Sequence, residues 1–132
     1  MTLGKYLRLL VTTDAGVAAL AADRVYTEVL PQSPALPAVV FTEVAGGEDY
    51  ALDGPTGAGT RRVQVDAWAK TRAEATALGA ALSAALSGHD GAAGGLVVEG
   101  VFLLDERWDF DPATGLYRTG QDYEVWVAGE SP

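Results

Sequence analysis

Two glycine- or aspartate-rich segments contain residue types that could bind a phosphate or a metal. The first, residues 54–60, has the glycines and threonines of a phosphate-binding loop. A nucleotide-binding P-loop ends in Gly-Lys-Ser/Thr, because the lysine binds phosphate and the hydroxyl binds Mg²⁺, and it opens a helix whose N-terminus faces the phosphate. Residues 54–60 lack that ending and lead into a predicted strand, so we predict a loop that binds no nucleotide.

The second segment has the oxygen-rich composition of a calcium loop, with candidate ligands at Asp109, Asp111, Thr114 and Gly115. The third acidic or amide ligand position of such a loop holds Ala113, and no glutamate follows at the distance of the bidentate ligand that a calcium loop requires. Aspartate and proline also stabilise tight turns. We therefore predict a hairpin turn here, and we predict no metal and no cofactor anywhere in the chain.

Acid–base and nucleophilic chemistry has little support. His89 is the single histidine, and its glycine-flanked segment offers no rigid elbow on which a Ser-His-Asp triad could be built. Its neighbour Asp90 is most simply a solvated charge. Asp105 and Glu106 alternate sides on a predicted strand, so they would not share one acid–base site. The sequence predicts no catalytic residue and therefore no enzyme.

Composition favours one folded domain, residues 1–132, because 48% of its residues are hydrophobic. There is no cysteine, which excludes a disulfide framework and thiolate metal sites. The net charge of −9 disfavours a protein that grips a phosphate backbone, although it permits an acidic surface past which DNA slides. No apolar stretch is long enough to span a membrane, and polar residues at 12–14 interrupt the segment that resembles a signal peptide.

The first part of the chain predicts two helices and two strands. Apolar residues recur at three- and four-residue spacing over residues 3–10, which is typical of an amphipathic helix, and Thr2 is a suitable N-cap. Residues 13–14 predict the start of a second, shorter helix. Strong β-formers predict strands at residues 24–30 and 38–44, separated by prolines that form an extended crossover.

The second part predicts a strand, a long helix and a hairpin. Residues 61–69 alternate cleanly between small apolar and polar side chains, and a capping box opens a helix over residues 71–86. After a flexible connection at residues 88–95, two long strands at 96–108 and 116–127 form a hairpin. The predicted fold class is α+β: a single, mainly antiparallel sheet of about five strands, packed by the long helix and the N-terminal helical pair.

Residues 45–60 contain five glycines and show no periodicity, so we predict a long flexible loop. Loops of this length in small domains are usually functional. The candidates in it for contact with a partner are Gly47, Glu48, Asp49, Tyr50, Leu52 and Asp53.

Trp68 and Trp126 indicate a surface that binds another protein. The alternation of the strands places them among polar side chains on the sheet face opposite the predicted core, a composition that fits a protein–protein interface. Two other readings stay open: the tryptophans shield each other across strands, or the two faces are reversed. The interface candidates are Gln64, Asp66, Trp68, Asp122, Glu124 and Trp126.

In the order of its segments the chain resembles the tail-terminator, or tail-completion, proteins of long-tailed (siphovirus-type) bacteriophages and of phage-derived particles such as gene transfer agents. The resemblance covers nearly the whole chain, and the arrangement of the segments carries it more than any one motif. The segments are the N-terminal helical pair, Asp-Arg-Val-Tyr at 23–26, Leu-Pro-Gln at 30–32, Pro-Ala-Val-Val-Phe at 37–41, Val-Gln-Val-Asp-Ala-Trp-Ala at 63–69, the capped helix, Tyr-Arg at 117–118 and Asp-Tyr-Glu-Val-Trp at 122–126.

The resemblance implies a structural virion protein without catalytic residues. Members assemble as a ring, usually of six copies, on the head-proximal end of the finished tail tube. There they stop tube polymerisation and offer a surface to the head connector or stopper protein, while DNA passes through the lumen without specific binding. The implied partners are therefore other copies of the chain, the tail tube protein and the connector, with no membrane, and the implied place of assembly is the cytoplasm of a bacterial host.

Two other functions remain open. The first is a head-completion or neck (stopper) protein of the same particle, which would also form an acidic ring. The second, from a different class, is a small-molecule or peptide-binding α+β module, and more remotely a hydrolase-like enzyme. An apolar pocket with convergent polar groups would favour the module, whereas extensive flat surfaces between subunits would favour a ring.

Overall fold

A computed structural model describes residues 2–51 and 54–128, with the side chains of residues 48–57 outside the description. Within these ranges the chain forms three helices and one sheet of six strands. The helices are α1 (Leu3–Thr13), α2 (Ala15–Ala21) and α3 (Arg72–Leu86). The strands are β1 (Val25–Thr27), β2 (Ala38–Ala51), β3 (Gly54–Ala69), β4 (Gly91–Ala93), β5 (Leu96–Asp111) and β6 (Leu116–Ala128).

The strand order in the sheet is β1-β2-β3-β6-β5-β4. Only the β1–β2 pair is parallel, and the other neighbours are antiparallel, so the mainly antiparallel α+β prediction is confirmed. The predicted count of about five strands is one short. The additional strand is β4, which lies in the segment 88–95 that we predicted to be a flexible connection. Gly94 and Gly95 both have positive φ angles, and such a pair makes the tight turn that folds β4 back on β5.

The prediction of a long loop at residues 45–60 is wrong. β2 and β3 continue through it as a hairpin, with Gly47 opposite Thr60 and two register shifts along the pair. Glycine weakens a strand that has few neighbours. β3, however, also pairs with β6 on its other side, for example Thr60 with Trp126. Neighbouring strands on both sides of β3 therefore override the low strand propensity.

This correction applies to the six loop candidates as well. Four of them belong to β2: Gly47, Glu48, Asp49 and Tyr50. The other two, Leu52 and Asp53, lie outside the described residues.

Side-chain caps start all three helices, as the sequence predicts. The side chain of Thr2 accepts a hydrogen bond from the Lys5 amide, and Asp14 accepts one from the Val17 amide. Thr71 caps α3 by accepting from the amide of Glu74 at 3.1 Å. The Glu74 carboxylate in turn accepts a hydrogen bond from the Thr71 hydroxyl at 3.0 Å. The capping residue thus fixes where α3 begins, directly after β3.

The core lies between the helices and one face of the sheet. The β3 side chains that alternate toward it are buried, as predicted, and α3 contributes its leucines at four-residue spacing. α3 lies close to the sheet because Gly79 faces Thr119: a Cβ added at Gly79 would stand 2.6 Å from the Thr119 Cγ2 atom. The Thr119 hydroxyl donates to the Ala75 carbonyl at 2.8 Å, and the Gln121 amide donates to the Gly79 carbonyl at 2.8 Å. Buried polar groups therefore hold α3 in one position on β6.

Candidate assembly surfaces

The strand register puts all of the predicted interface residues on one face of the sheet. Directly opposed residues of an antiparallel pair share a face, and Gln64 opposes Asp122 across β3 and β6. This face is opposite the one covered by the helices, and we call it the outer face. The faces are therefore not reversed. The residues that the structure places on it are Gln64, Asp66, Trp68, Asp122, Glu124 and Trp126.

The two tryptophans do not shield each other. Trp126 opposes Thr60, which precedes Trp68 by eight residues on β3. At about 3.4 Å per residue, the two tryptophans stand roughly 27 Å apart along the strands. They therefore belong to different surfaces.

Trp68 is half-buried among residues of its own chain. The Arg118 guanidinium lies 5.6 Å from the centroid of its ring, within the range of a cation–π contact. The ring also forms part of the wall of a cleft of about 660 Å³ beneath the proline-rich crossover. Trp68 thus lies between Arg118 and this cleft, and its side chain is only partly exposed.

The centre of the outer face is a network of charges that satisfy one another. Arg107 contacts Asp122 at 3.1 Å, and Gln64 donates to Asp66 at 3.1 Å. Burial raises the pKa of Asp66, while the hydrogen bond from Gln64 and the nearby charge of Arg118 act in the opposite direction. Three of the polar interface candidates therefore already have partners within the subunit, which reduces what they can offer to another protein.

The other end of the outer face carries an exposed aromatic patch. Trp126 is 45% exposed and opposes Gly100 on β5. The ring of Phe102, itself 50% exposed, lies over Gly100, where an added Cβ would be 2.9 Å from two ring carbons. Phe102 opposes Glu124, which lies two residues before Trp126 on β6, so Phe102 and Trp126 are diagonal neighbours on the same face. We call Phe102 and Trp126 the aromatic patch.

Sequence reasoning missed Phe102 because β5 contains two register shifts. They fall between Val98 and Gly100 and between Leu103 and Asp105. Each shift reverses which side chains face outward, so simple alternation along 96–108 cannot assign the faces. Phe102, Leu103 and Leu104 are three consecutive apolar residues, which interrupts simple alternation and was the available signal of an irregular strand.

A second surface is the open edge of β5. β4 pairs with β5 only at Leu96–Val98, and the Gly88 amide donates to the Val101 carbonyl at 2.8 Å. In the described part of the chain no strand pairs with residues 102–111 on that side. This edge carries large apolar side chains that are between 38% and 50% exposed: Phe102, Leu103, Leu104, Trp108 and Phe110. A long apolar edge is a template for pairing with another strand.

The aspartate-rich turn at residues 109–115 and His89 have structural roles. Asp111 accepts hydrogen bonds from the Ala113 amide at 3.1 Å and the Thr114 hydroxyl at 3.0 Å, so the predicted hairpin turn is confirmed. His89 contacts the Tyr6 hydroxyl at 2.7 Å and ties α1 to the start of β4. Across residues 2–51 and 54–128 no three His, Cys, Asp or Glu side chains are placed to hold a metal ion. Over the same residues no helix is both long and apolar enough to cross a bilayer.

Comparisons with known proteins agree with a role in assembly. The family described as tail completion protein gp17 matches residues 5–128. One chain in the solved structure described as "Virion of native gene transfer agent (GTA) particle" has the same fold, with a TM-score of 0.82 over 97% of this chain and 96% of that chain, at 22% sequence identity. No curated protein sequence matches the chain. Since the family match spans most of its length, the chain belongs to the tail completion protein gp17 family and is a structural protein of a phage-type tail.

Proposed function

We propose that the protein closes into a ring of six copies on the head-proximal end of the tail tube, where it ends tube polymerisation and presents the attachment surface for the head connector. The observation that carries this proposal is the open apolar edge of β5 beside the aromatic patch. One subunit leaves both surfaces uncovered, and neither is an enclosed pocket. Surfaces of this kind support a subunit that is completed by neighbouring proteins.

A ring makes specific demands on its subunit. A cyclic assembly uses two different complementary patches on every copy, and its two outer faces can then contact different proteins. Tube polymerisation repeats because each added layer offers the same surface to the next. A cap whose far side differs from the tube ends that series, and the same far side is free to receive the connector.

The net charge of −9 supports a conduit through which DNA passes. A lumen with this excess of acidic groups repels phosphate, so DNA passes through without sticking to the wall. The carboxylates and the histidine considered for chemistry take part in turns and intramolecular contacts. We therefore propose a purely structural role, for which no cofactor is needed.

Deletion of the gene tests the proposed function. Without a terminator, tube growth should continue unchecked and electron microscopy should show overlong tails that lack heads. Tails of normal length that fail to join heads would instead indicate a neck or stopper protein. Normal particles in the deletion would contradict both roles.

A point variant tests the aromatic patch separately. Trp126→Asp places a charge where an aromatic contact would be desolvated, which weakens each contact by about 2 kcal/mol or more. Trp126 is exposed in the subunit, so circular dichroism and melting should be unchanged while tails become overlong. Leu9→Asp is the matched control, because Leu9 is similarly exposed, at 49%, on α1, away from both surfaces. If the two variants assemble equally well, the aromatic patch is not part of the interface.

A further inference from the structure

We propose that neighbouring copies join by continuing the sheet, with the open edge of β5 in one copy pairing with the open edge of β2 in the next. This inference rests on the ring of the proposed function and specifies how it closes. A head-to-tail contact of this kind uses two different edges of the subunit, as a cyclic assembly requires.

The β5 edge has backbone groups that point away from the sheet. Val101 accepts from Gly88 on that side, and it opposes Val125 on the other. Because hydrogen-bonding direction alternates along a strand together with the side-chain face, Trp108 and Phe110, which share the face of Val101, direct their backbone groups to the same edge. Residues 102–111 thus offer donors and acceptors together with apolar side chains.

The β2 edge is open at its other half. β1 pairs with β2 only at Val39–Phe41, and the Glu28 amide donates to the Phe41 carbonyl at 2.8 Å. Within the described ranges no strand lies beside residues 44–47 on that side. Both sides of the sheet therefore end in a long strand that is only partly covered by a three-residue strand.

Strand direction makes these two edges compatible. β2 and β6 run one way and β3 and β5 run the other, because each adjacent pair is antiparallel. Rotation about a ring axis keeps the direction of every strand along that axis. β5 of one copy therefore meets β2 of the next in antiparallel orientation, the same pairing that the sheet uses internally.

The open halves lie at opposite ends of the sheet. Ala45, Arg62, Glu124 and Phe102 form one row across β2, β3, β6 and β5. From this row the open part of β2 extends toward the end of the sheet where β2 leads into β3. The open part of β5 extends toward the opposite end, where the turn joins β5 to β6. Neighbouring copies must therefore be staggered along the strands, and such a stagger is what the tilt of strands in a closed barrel produces.

The two edges also differ in size and charge. The β5 edge is bulky, and residues 102–111 contain four acids and one arginine. The β2 edge is small at Ala45, Gly46 and Gly47, beside an open cleft of about 440 Å³. The arginines near this cleft already have acidic neighbours, because Arg61 contacts Glu43 at 3.3 Å and Arg62 opposes Glu124. Phe102 already packs against Gly100 within its own strand, and aromatic side chains also pack well against glycines on a neighbouring strand. The bulky side chains of the β5 edge thus fit the small residues of the β2 edge.

Cysteine cross-linking tests this pairing, since the chain has no cysteine of its own. Val44 and Leu104 are 52% and 45% exposed, and each is the additional residue at a register shift near its open edge. In assembled tails, the double variant Val44→Cys with Leu104→Cys should give a ladder of covalent species up to six chains when treated with a short bis-maleimide. Either single variant should remain monomeric on a denaturing gel.

Two further variants complete the test. Trp108→Cys in place of Leu104→Cys covers a shifted register, and either pair giving the ladder supports the proposal. Leu9→Cys with Leu104→Cys is the matched control and should give no ladder. Dimers from Leu104→Cys alone would indicate twofold β5–β5 contact and would overturn the proposal. If rings form and tails have normal length but neither cysteine pair gives the ladder, the proposed pairing is overturned and the terminator role stands. The gene deletion tests the terminator role separately, through the length of the tails.

Discussion

At the scale of single residues, a buried polar chain decides how α3 sits on the sheet. The Tyr123 hydroxyl donates to the Gln121 side-chain oxygen at 2.7 Å, and the Gln121 amide donates to the Glu106 carboxylate at 2.6 Å as well as to α3. Gln121 is fully buried. In the sequence it is only one polar residue in a strand, and nothing local distinguishes it from an exposed one. Its role depends on α3, more than 40 residues away.

Gly79 should tolerate no side chain. Gly79→Ala places a Cβ 2.6 Å from the Thr119 Cγ2 atom, so α3 must move off the sheet, and we expect the free energy of unfolding to fall by about 1–3 kcal/mol. Gly4→Ala is the control, because nothing lies within 4 Å of its added Cβ and alanine favours a helix by about 0.5–1 kcal/mol. Urea unfolding should show opposite signs for the two variants. Equal effects would mean that the close contact does not limit packing.

Alkaline pH should destabilise the fold through Tyr123. Burial raises the pKa of Tyr123 to about 12, above its ordinary value of 10.0. The unfolded chain releases this proton first, so its contribution to stability is complete below pH 10 and is lost as pH rises toward 12. Urea unfolding between these values should show a falling free energy, and Tyr123→Phe should reduce the slope. The comparison with Tyr123→Phe is needed because burial also raises the pKa of Tyr6.

At the scale of elements, β5 has one paired side and one side that is partly open. One side pairs with β6 along most of its length, while residues 102–111 have an open edge on the other. In the proposed pairing, alternating backbone groups of β5 therefore serve folding and assembly in turn. Substitutions at adjacent positions of one strand should separate the two functions.

Proline substitutions at adjacent residues test that separation. Arg107 opposes Gly120, and its backbone N–H and C=O groups point toward β6. The backbone groups of Trp108 point to the open edge. Arg107→Pro should lose a ladder hydrogen bond and lower the free energy of unfolding by about 1–3 kcal/mol. Trp108→Pro should fold with less loss of stability and fail to assemble. Melting curves and light scattering measure the two outcomes, and failure of Trp108→Pro to fold would show that we have the phase reversed.

At the scale of the whole molecule, the proposed ring must bring together subunits that each carry a charge of −9. Like charges oppose ring closure, and dissolved salt screens exposed charges over a distance of about 10 Å at 0.1 M. We expect the fraction of assembled protein to rise with ionic strength, as measured by sedimentation. The control is Trp126→Asp, which should remain unassembled at every ionic strength. Weaker assembly at high salt would instead indicate that ion pairs between copies dominate the contact.

The sequence by itself determined the structural features that depend on residues close together in the chain. Thr2, Asp14 and Thr71 mark the helix starts, because a cap acts on amides within one turn. The alternation of residues 61–69 indicated the core face of β3 and the outward position of Trp68, and the alternation of residues 116–127 did the same for β6 and Trp126. The order of such local segments was also sufficient to indicate the family, and the family match over residues 5–128 confirms it.

Only the tertiary structure decided which strands have neighbours and which edges stay open. Strand pairing extends β2 and β3 through a glycine-rich stretch, and it gives the short segment Gly91–Ala93 a place beside β5. The register shifts in β5 decide that Phe102 faces outward beside Trp126, and folding brings Arg107 to Asp122. These features depend on contacts between residues distant in sequence, where pairing energy outweighs local propensity and shifts in register reverse the pattern of alternation.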